Sequence, residues 1–102
     1  VLPLVTLLLS LAGPCACTPG ELCTWKGTGY TGSHIEAPQP GDVARSIMNK
    51  SVDPAEFSGT VILADGTTRS RTFCLNPGEG QSDTGEFTIT RVAVRSAPCS
   101  LV

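Results

Sequence analysis

The stretch from Cys17 to Gly32, Cys-Thr-Pro-Gly-Glu-Leu-Cys-Thr-Trp-Lys-Gly-Thr-Gly-Tyr-Thr-Gly, constrains the fold more than any other part of the chain. Cys17 and Cys23 enclose a Pro-Gly turn, so in an oxidising compartment they can close a small covalent loop. Trp25 and Tyr30 follow, with Gly27 and Gly29 between them and Gly32 just beyond. Glycines at those places suit a tight turn that folds the chain back on itself and brings the two rings together across a hairpin.

The spacing carried by Trp25, Tyr30 and Gly32 resembles the Greek-key motif of the βγ-crystallins. The longer run from Cys17 to Gly32 is similar to the crystallin-like secreted peptidase inhibitors of actinobacteria, whose inhibitory members act on metalloproteinases. A weaker likeness continues through Arg45 to Asn49, Gly59-Thr60 and Thr72 to Gly78. The resemblance implies an all-β, disulfide-linked, small Greek-key sandwich of the βγ-crystallin type.

The chain has 102 residues, a net charge of −2, five cysteines and 11 glycines, which suits one small loop-rich domain. Charges are sparse and of mixed sign, so neither a nucleic-acid surface nor a basic membrane-binding patch is expected. Leu2 to Ala12 is apolar, uncharged and too short to span a bilayer, and small residues follow it. It reads as the apolar region of a secretory signal peptide. Residues 1–16 are therefore expected to be a signal and leader, cut after Ala12 or Ala16, and residues 17–102 a single domain, secreted, monomeric and free of the membrane. Cleavage after Ala12 would leave Cys15 as an odd cysteine.

Export makes disulfides the default use of the cysteines, and a domain this small buries too little surface to be comfortable without them. His34 is the sole histidine and the cysteine spacing is unlike a zinc site, so no metal or other cofactor is expected. Cys17, Cys23, Cys74 and Cys99 allow three pairings. The resemblance implies Cys17 with Cys23, which leaves Cys74 with Cys99. Closing that second, longer loop would stabilise by about 3 kcal/mol on the chain-entropy account.

Along the rest of the chain, Ser33 to Glu36 reads as a short strand with Ile35 inward, ended by Pro38 and Pro40. Asp42 to Met48 fits either a turn into a strand or a single helical turn. Asn49-Lys50-Ser51 is a formal glycosylation acceptor. Val52 to Ser58 reads as a loop covered by Phe57. Gly59 to Ala64, Asp65-Gly66 and Thr67 to Leu75 are written as a hairpin with a two-residue turn, its first strand central.

In the second strand of that hairpin, strict alternation puts Arg69 and Arg71 on the face of Phe73 and Leu75. Either a bulge near Arg71 or a core-facing part that begins only at Thr72 would resolve this. Asn76-Pro77-Gly78 suits a type II turn, and Glu79 to Gly85 reads as the longest flexible loop. Glu86 to Ala97 is a strand in which Phe87 and Ile89 share one parity and Val92 and Val94 the other, so its ladder shifts near Thr90 or Arg91.

An enzyme is not expected. No nucleophile elbow surrounds any serine, and the paired carboxylates Asp53 and Glu56, or Glu79 and Asp83, stand in loops where nothing would desolvate one of them. The resemblance implies instead an inhibitor of an extracellular protease, with Cys74-Leu75 at the place of the offered bond and Asn76 and Pro77 as further contacts. Leu75 is the leading contact on that reading. The residues alone fit equally a Cys74 and Leu75 that are simply part of a strand. The family pattern has a further cysteine a few residues on, and here Asn76-Pro77-Gly78 stands in its place. A non-inhibitory secreted binding module is the alternative. Of a crystallin-type calcium site only Asp42 and Ser46 match, with Gly41 and Arg45 at the other positions, so calcium should bind weakly or not at all.

Overall fold

A computed structural model describes residues 16–99. Residues 1–15 of the expected leader, Cys15 among them, lie outside the described residues. Eight strands run in order: β1 Leu22–Gly27, β2 Thr31–Glu36, β3 Val43–Ala44, β4 Ser46–Asn49, β5 Ala55–Ile62, β6 Thr68–Leu75, β7 Gly80–Gln81 and β8 Glu86–Val94. They form two four-stranded antiparallel sheets, one ordered β2-β1-β4-β7 and the other β3-β8-β5-β6. Advancing every strand by four positions turns one order into the other. The domain is thus two Greek keys, each lending its third strand to the edge of the other's sheet. Neither sheet is complete without both halves of the chain, and this ties the halves into one folding unit.

The inter-sheet core contains Ala44, Ile47, Ala55, Phe57, Val61, Phe73, Leu75, Phe87 and Ile89. The rings of Phe73 and Phe87 meet edge to face at 5.1 Å, a favoured aromatic geometry. A second cluster of Cys17, Cys23, Trp25 and Met48, with Tyr30 against it, is separate from the first. Side chains alternate across a strand. In β1, Cys23 and Trp25 therefore take one face, and Leu22, which packs on the inter-sheet core, takes the other with Thr24. The Cys17–Gly32 stretch covers the outer face of its sheet rather than filling the centre of the sandwich.

Several expectations are corrected by long-range pairing. Val43 to Met48 is not a helical turn but two short strands, β3 and β4, that belong to different sheets. Phe57 does not cover a loop; it is fully buried in β5, which begins at Ala55. Ile35 lies on an exposed edge strand and is only half-buried. β5 is central between β8 and β6, yet only one of its faces is covered, and Ile62 remains 45% exposed.

The β5–β6 turn is wider than two residues. Leu63 N donates to Thr67 O at 2.7 Å and Gly66 N to Leu63 O at 2.9 Å, the geometry of a three-residue loop closed by a left-handed glycine. The β5–β6 register runs unbroken from Ala55↔Leu75 to Ile62↔Thr68. Arg69 and Arg71 do share the face of Phe73, without a bulge; burial begins only at Phe73, and the Arg71 guanidinium lies 5.1 Å from that ring's centre.

Glu79 to Gly85 is not simply a loop, because Gly80–Gln81 pairs with β4 as β7. In β8 the ladder to β5 steps from Ser58↔Arg91 to Gly59↔Ile89, leaving Thr90 as the extra residue of a bulge. That is how Phe87 and Ile89 reach the core while Arg91 stays exposed.

Candidate functional site

The two disulfides join Cys17 to Cys23 and Cys74 to Cys99. Cys74 sits in β6 opposite Glu56 of β5. Its Sγ accepts from Arg95 Nη1 at 3.3 Å, and the same Nη1 donates to Glu56 Oε2 at 2.9 Å. Leu75, the next residue, is 5% exposed and its side chain belongs to the inter-sheet core. It cannot enter a protease pocket without leaving that core. The alternation that places Cys74 towards the rim sends Leu75 inward.

Beyond Leu75 the chain turns out of the sandwich. Glu79 N donates to Asn76 O at 2.9 Å, Pro77 fixes the first central residue and Gly78 supplies a φ of 86° at the second, which makes a type II turn. Pro77, Gly78 and Glu79 are exposed. The turn is also held from several sides. Asn76 N donates to Glu79 Oε1 at 2.8 Å, and Asn76 Oδ1 accepts from Cys99 N at 2.9 Å. Gly78 N donates to Asn49 O at 2.7 Å, and Asn49 N to Glu79 O at 2.9 Å.

Asn49 is the residue that sequence reasoning missed. It is fully buried, and its Nδ2 donates to Asp53 O and Leu75 O, both at 2.8 Å. Its Oδ1 accepts from Ser51 N at 2.8 Å and Ser51 Oγ at 2.6 Å. Two donors and two acceptors use the whole hydrogen-bonding capacity of the amide. Asn49 is therefore a bracket between the β4–β5 connection and the end of β6, and its amide is closed to glycosylation. The Asn-x-Ser pattern that looked like an acceptor is here a side chain closing a local turn on Ser51.

The same connection borders an apolar cleft of about 600 Å³ lined by Leu22, Pro38, Pro40, Val52, Val92 and Val94 among others. Val52 is 85% and Val94 66% exposed. Because Asn49 binds both Asp53, on the cleft's border, and Leu75, before the turn, the two features rest on one support.

The residues of the calcium alternative are engaged elsewhere. Ser46 is fully buried, with its Oγ accepting from Tyr30 N at 3.0 Å and donating to Gly27 O at 2.7 Å. Asp42 Oδ2 accepts from Gln39 N at 2.7 Å, and Arg45 pairs with Glu86 at 3.0 Å. Among the described residues no three His, Cys, Asp or Glu side chains gather as a metal site. Trp25 and Tyr30 meet edge to face at 5.2 Å, with Tyr30 in the left-handed region at φ 62° and Gly32 at φ 81° beyond it.

Two exchanged Greek keys with two disulfides and a tethered exposed turn define a small cross-linked β sandwich. The first half of the chain carries the pattern of peptidase inhibitor family I36, whose family model matches residues 11–57. That family consists of inhibitors rather than enzymes, and the match supports a peptidase inhibitor with a protease as its partner. The matched segment runs through β4 into β5 and ends before the Asn76–Glu79 turn. Neither the curated proteins nor the solved structures searched gave a match.

Proposed function

We propose that the protein is a secreted, monomeric inhibitor of an extracellular protease, a metalloproteinase by its resemblance, and that the exposed Asn76–Pro77–Gly78–Glu79 turn is its principal contact. The observation that carries this reading is the fixing of the turn before any partner arrives. A disulfide one strand residue before Leu75, the Asn49 main chain on two sides and the Cys99 amide on a third all hold it. A loop already held in its bound shape loses little ordering entropy on binding, and this is what separates a tight inhibitor from a substrate. The match to a peptidase inhibitor family supports the inhibitory activity. The secreted domain is taken to be residues 17–102, after removal of the leader at Ala12 or Ala16.

Leu75 cannot serve as the pocket-filling residue in this arrangement, so the contact moves one residue on, to Asn76 and Pro77. The oxidised protein should inhibit one or more secreted metalloproteinases in a panel that includes serine enzymes. Pro77→Ala, which loosens the turn, should weaken inhibition about fivefold. A charge at the contact, Pro77→Glu, should weaken it further, with both variants remaining folded and their unfolding temperatures lowered by a similar few degrees. Inhibition of serine enzymes alone would reassign the target class. A panel with no inhibited enzyme would favour a binding module that uses the cleft beside Val52 and Val94 instead.

A further inference from the structure

The two disulfides differ in their surroundings. Cys17 and Cys23 are 1% and 0% exposed, sealed under Trp25 and Tyr30 on the outer face of their sheet. Cys74 is half-buried at the rim, its partner Cys99 is buried but for 8%, and the Arg95 guanidinium lies 3.3 Å from the Cys74 sulfur. Glu56, directly across the ladder, is the one carboxylate in this cluster, and it shares Nη1 of Arg95. A cation beside a cysteine favours its thiolate, and a carboxylate opposes it. We propose that Cys74–Cys99 is a selectively reducible bridge, opened by small thiol or dithiol reductants while Cys17–Cys23 stays closed, and that its opening releases the Asn76–Glu79 turn.

The chemistry is thiol–disulfide exchange. A reductant thiolate attacks one sulfur of the bridge, the sulfur–sulfur bond breaks, and the other cysteine leaves as thiolate. A second reductant thiol resolves the mixed disulfide, so that two reductant thiols become one disulfide and Cys74 and Cys99 take up the two electrons. In the reduced product the Cys74 sulfur stays on Arg95 Nη1, which stabilises its negative charge. The cross-link that fixes Cys99 is then gone. Its amide is what holds Asn76 Oδ1, and the turn keeps only its ties to Asn49 and Glu79. The regulatory meaning of this release rests on the proposed role of the turn, but the chemistry does not.

The test is titration of the intact protein with buffered dithiothreitol, trapping free thiols with an alkylating agent and locating them by peptide mass spectrometry. Cys74 and Cys99 should be alkylated at reductant levels that leave Cys17 and Cys23 bonded, and amide exchange should rise at Gly78 and Glu79 in the same samples. Arg95→Gln should need about fivefold more reductant, whereas Glu56→Gln should need the same or less. If the Arg95–Glu56 pair matters only as a structural tie, both variants would instead be easier to reduce, and the assignment fails. It also fails if both bridges open together, or if Cys17–Cys23 opens first. Should the oxidised protein inhibit no peptidase while the thiol results hold, the functional reading falls and the reducible bridge stands.

Discussion

The Ser46 hydroxyl accepts a hydrogen bond from the Tyr30 amide at 3.0 Å and donates one to the Gly27 carbonyl at 2.7 Å, and so locks the folded-over β1–β2 hairpin onto β4. This contact lets Tyr30 hold a left-handed backbone and lay its ring against Trp25. Ser46→Ala would leave a part-buried N–H without a partner, and the expected loss is about 1–3 kcal/mol. In a domain of this size each kcal/mol lowers the melting temperature by about 4–8 °C. Thermal unfolding followed by Trp25 fluorescence checks it; an unchanged melting temperature would show that the hairpin holds itself.

Gly59 faces the bulge in β8. A Cβ there would collide with the Thr88 carbonyl oxygen and stand 2.9 Å from Phe87 Cε1. Both are fixed, one by the ladder and one by the core. Gly59→Ala should destabilise by about 1–3 kcal/mol or more, as overpacking of a filled interior does, and a denaturant midpoint that does not move would contradict the close approach.

Leu75 offers a direct separation of core from contact. Leu75→Ala should cost about 2–5 kcal/mol through the cavity it leaves, and Leu75→Asp should abolish folding by burying a charge without a partner. Circular dichroism of the two variants, read before any inhibition assay, is the measurement. A well-folded Leu75→Asp protein would mean that the side chain is free to face outward.

The acid limb of stability should depend on Glu36. Hydrogen bonds from the Thr18 hydroxyl, then the Thr18 amide, hold its carboxyl below the ordinary value of 4.5, with a smaller contribution from His34. Asp65 is lowered in the same way by the hydroxyl and amide of Thr67. A carboxylate depressed on folding lends stability above its unfolded value, and that stability is lost as pH falls through the folded one. Melting temperature should therefore decline below about pH 4.5, and the decline should be shallower in Glu36→Gln. Because Glu36 is exposed, the difference will be small; an identical acid limb in the variant would remove the Thr18 contact from the account.

Much of the fold could be read along single strands. The parity change between Ile89 and Val92 places a bulge near Thr90, and one is there, because which residues are apolar at every second position is a local property. The turn at Asn76-Pro77-Gly78 is equally legible, since proline and glycine fix its two central dihedrals. Gly80–Gln81 shows no strand signal; it is a strand only because β4 leaves an edge open beside it. Asn49 could not be recognised as a bracket, since its partners at Asp53, Leu75, Gly78 and Glu79 meet only in the folded chain.

A β-rich, turn-rich chain with Trp25 and Tyr30 meeting across a hairpin follows from local pattern, because alternation and turn chemistry act over a few neighbouring residues. Long-range packing was needed to set the exchange of the two halves' third strands between sheets, the place of Trp25 on an outer face, and the burial of Leu75 beside an exposed Pro77. Alternation says which residues share a face. Which face is covered depends on what packs against it: the other half of the chain covers the inner faces, and Tyr30, Met48 and the Cys17–Cys23 bridge gather around Trp25 on the outer one.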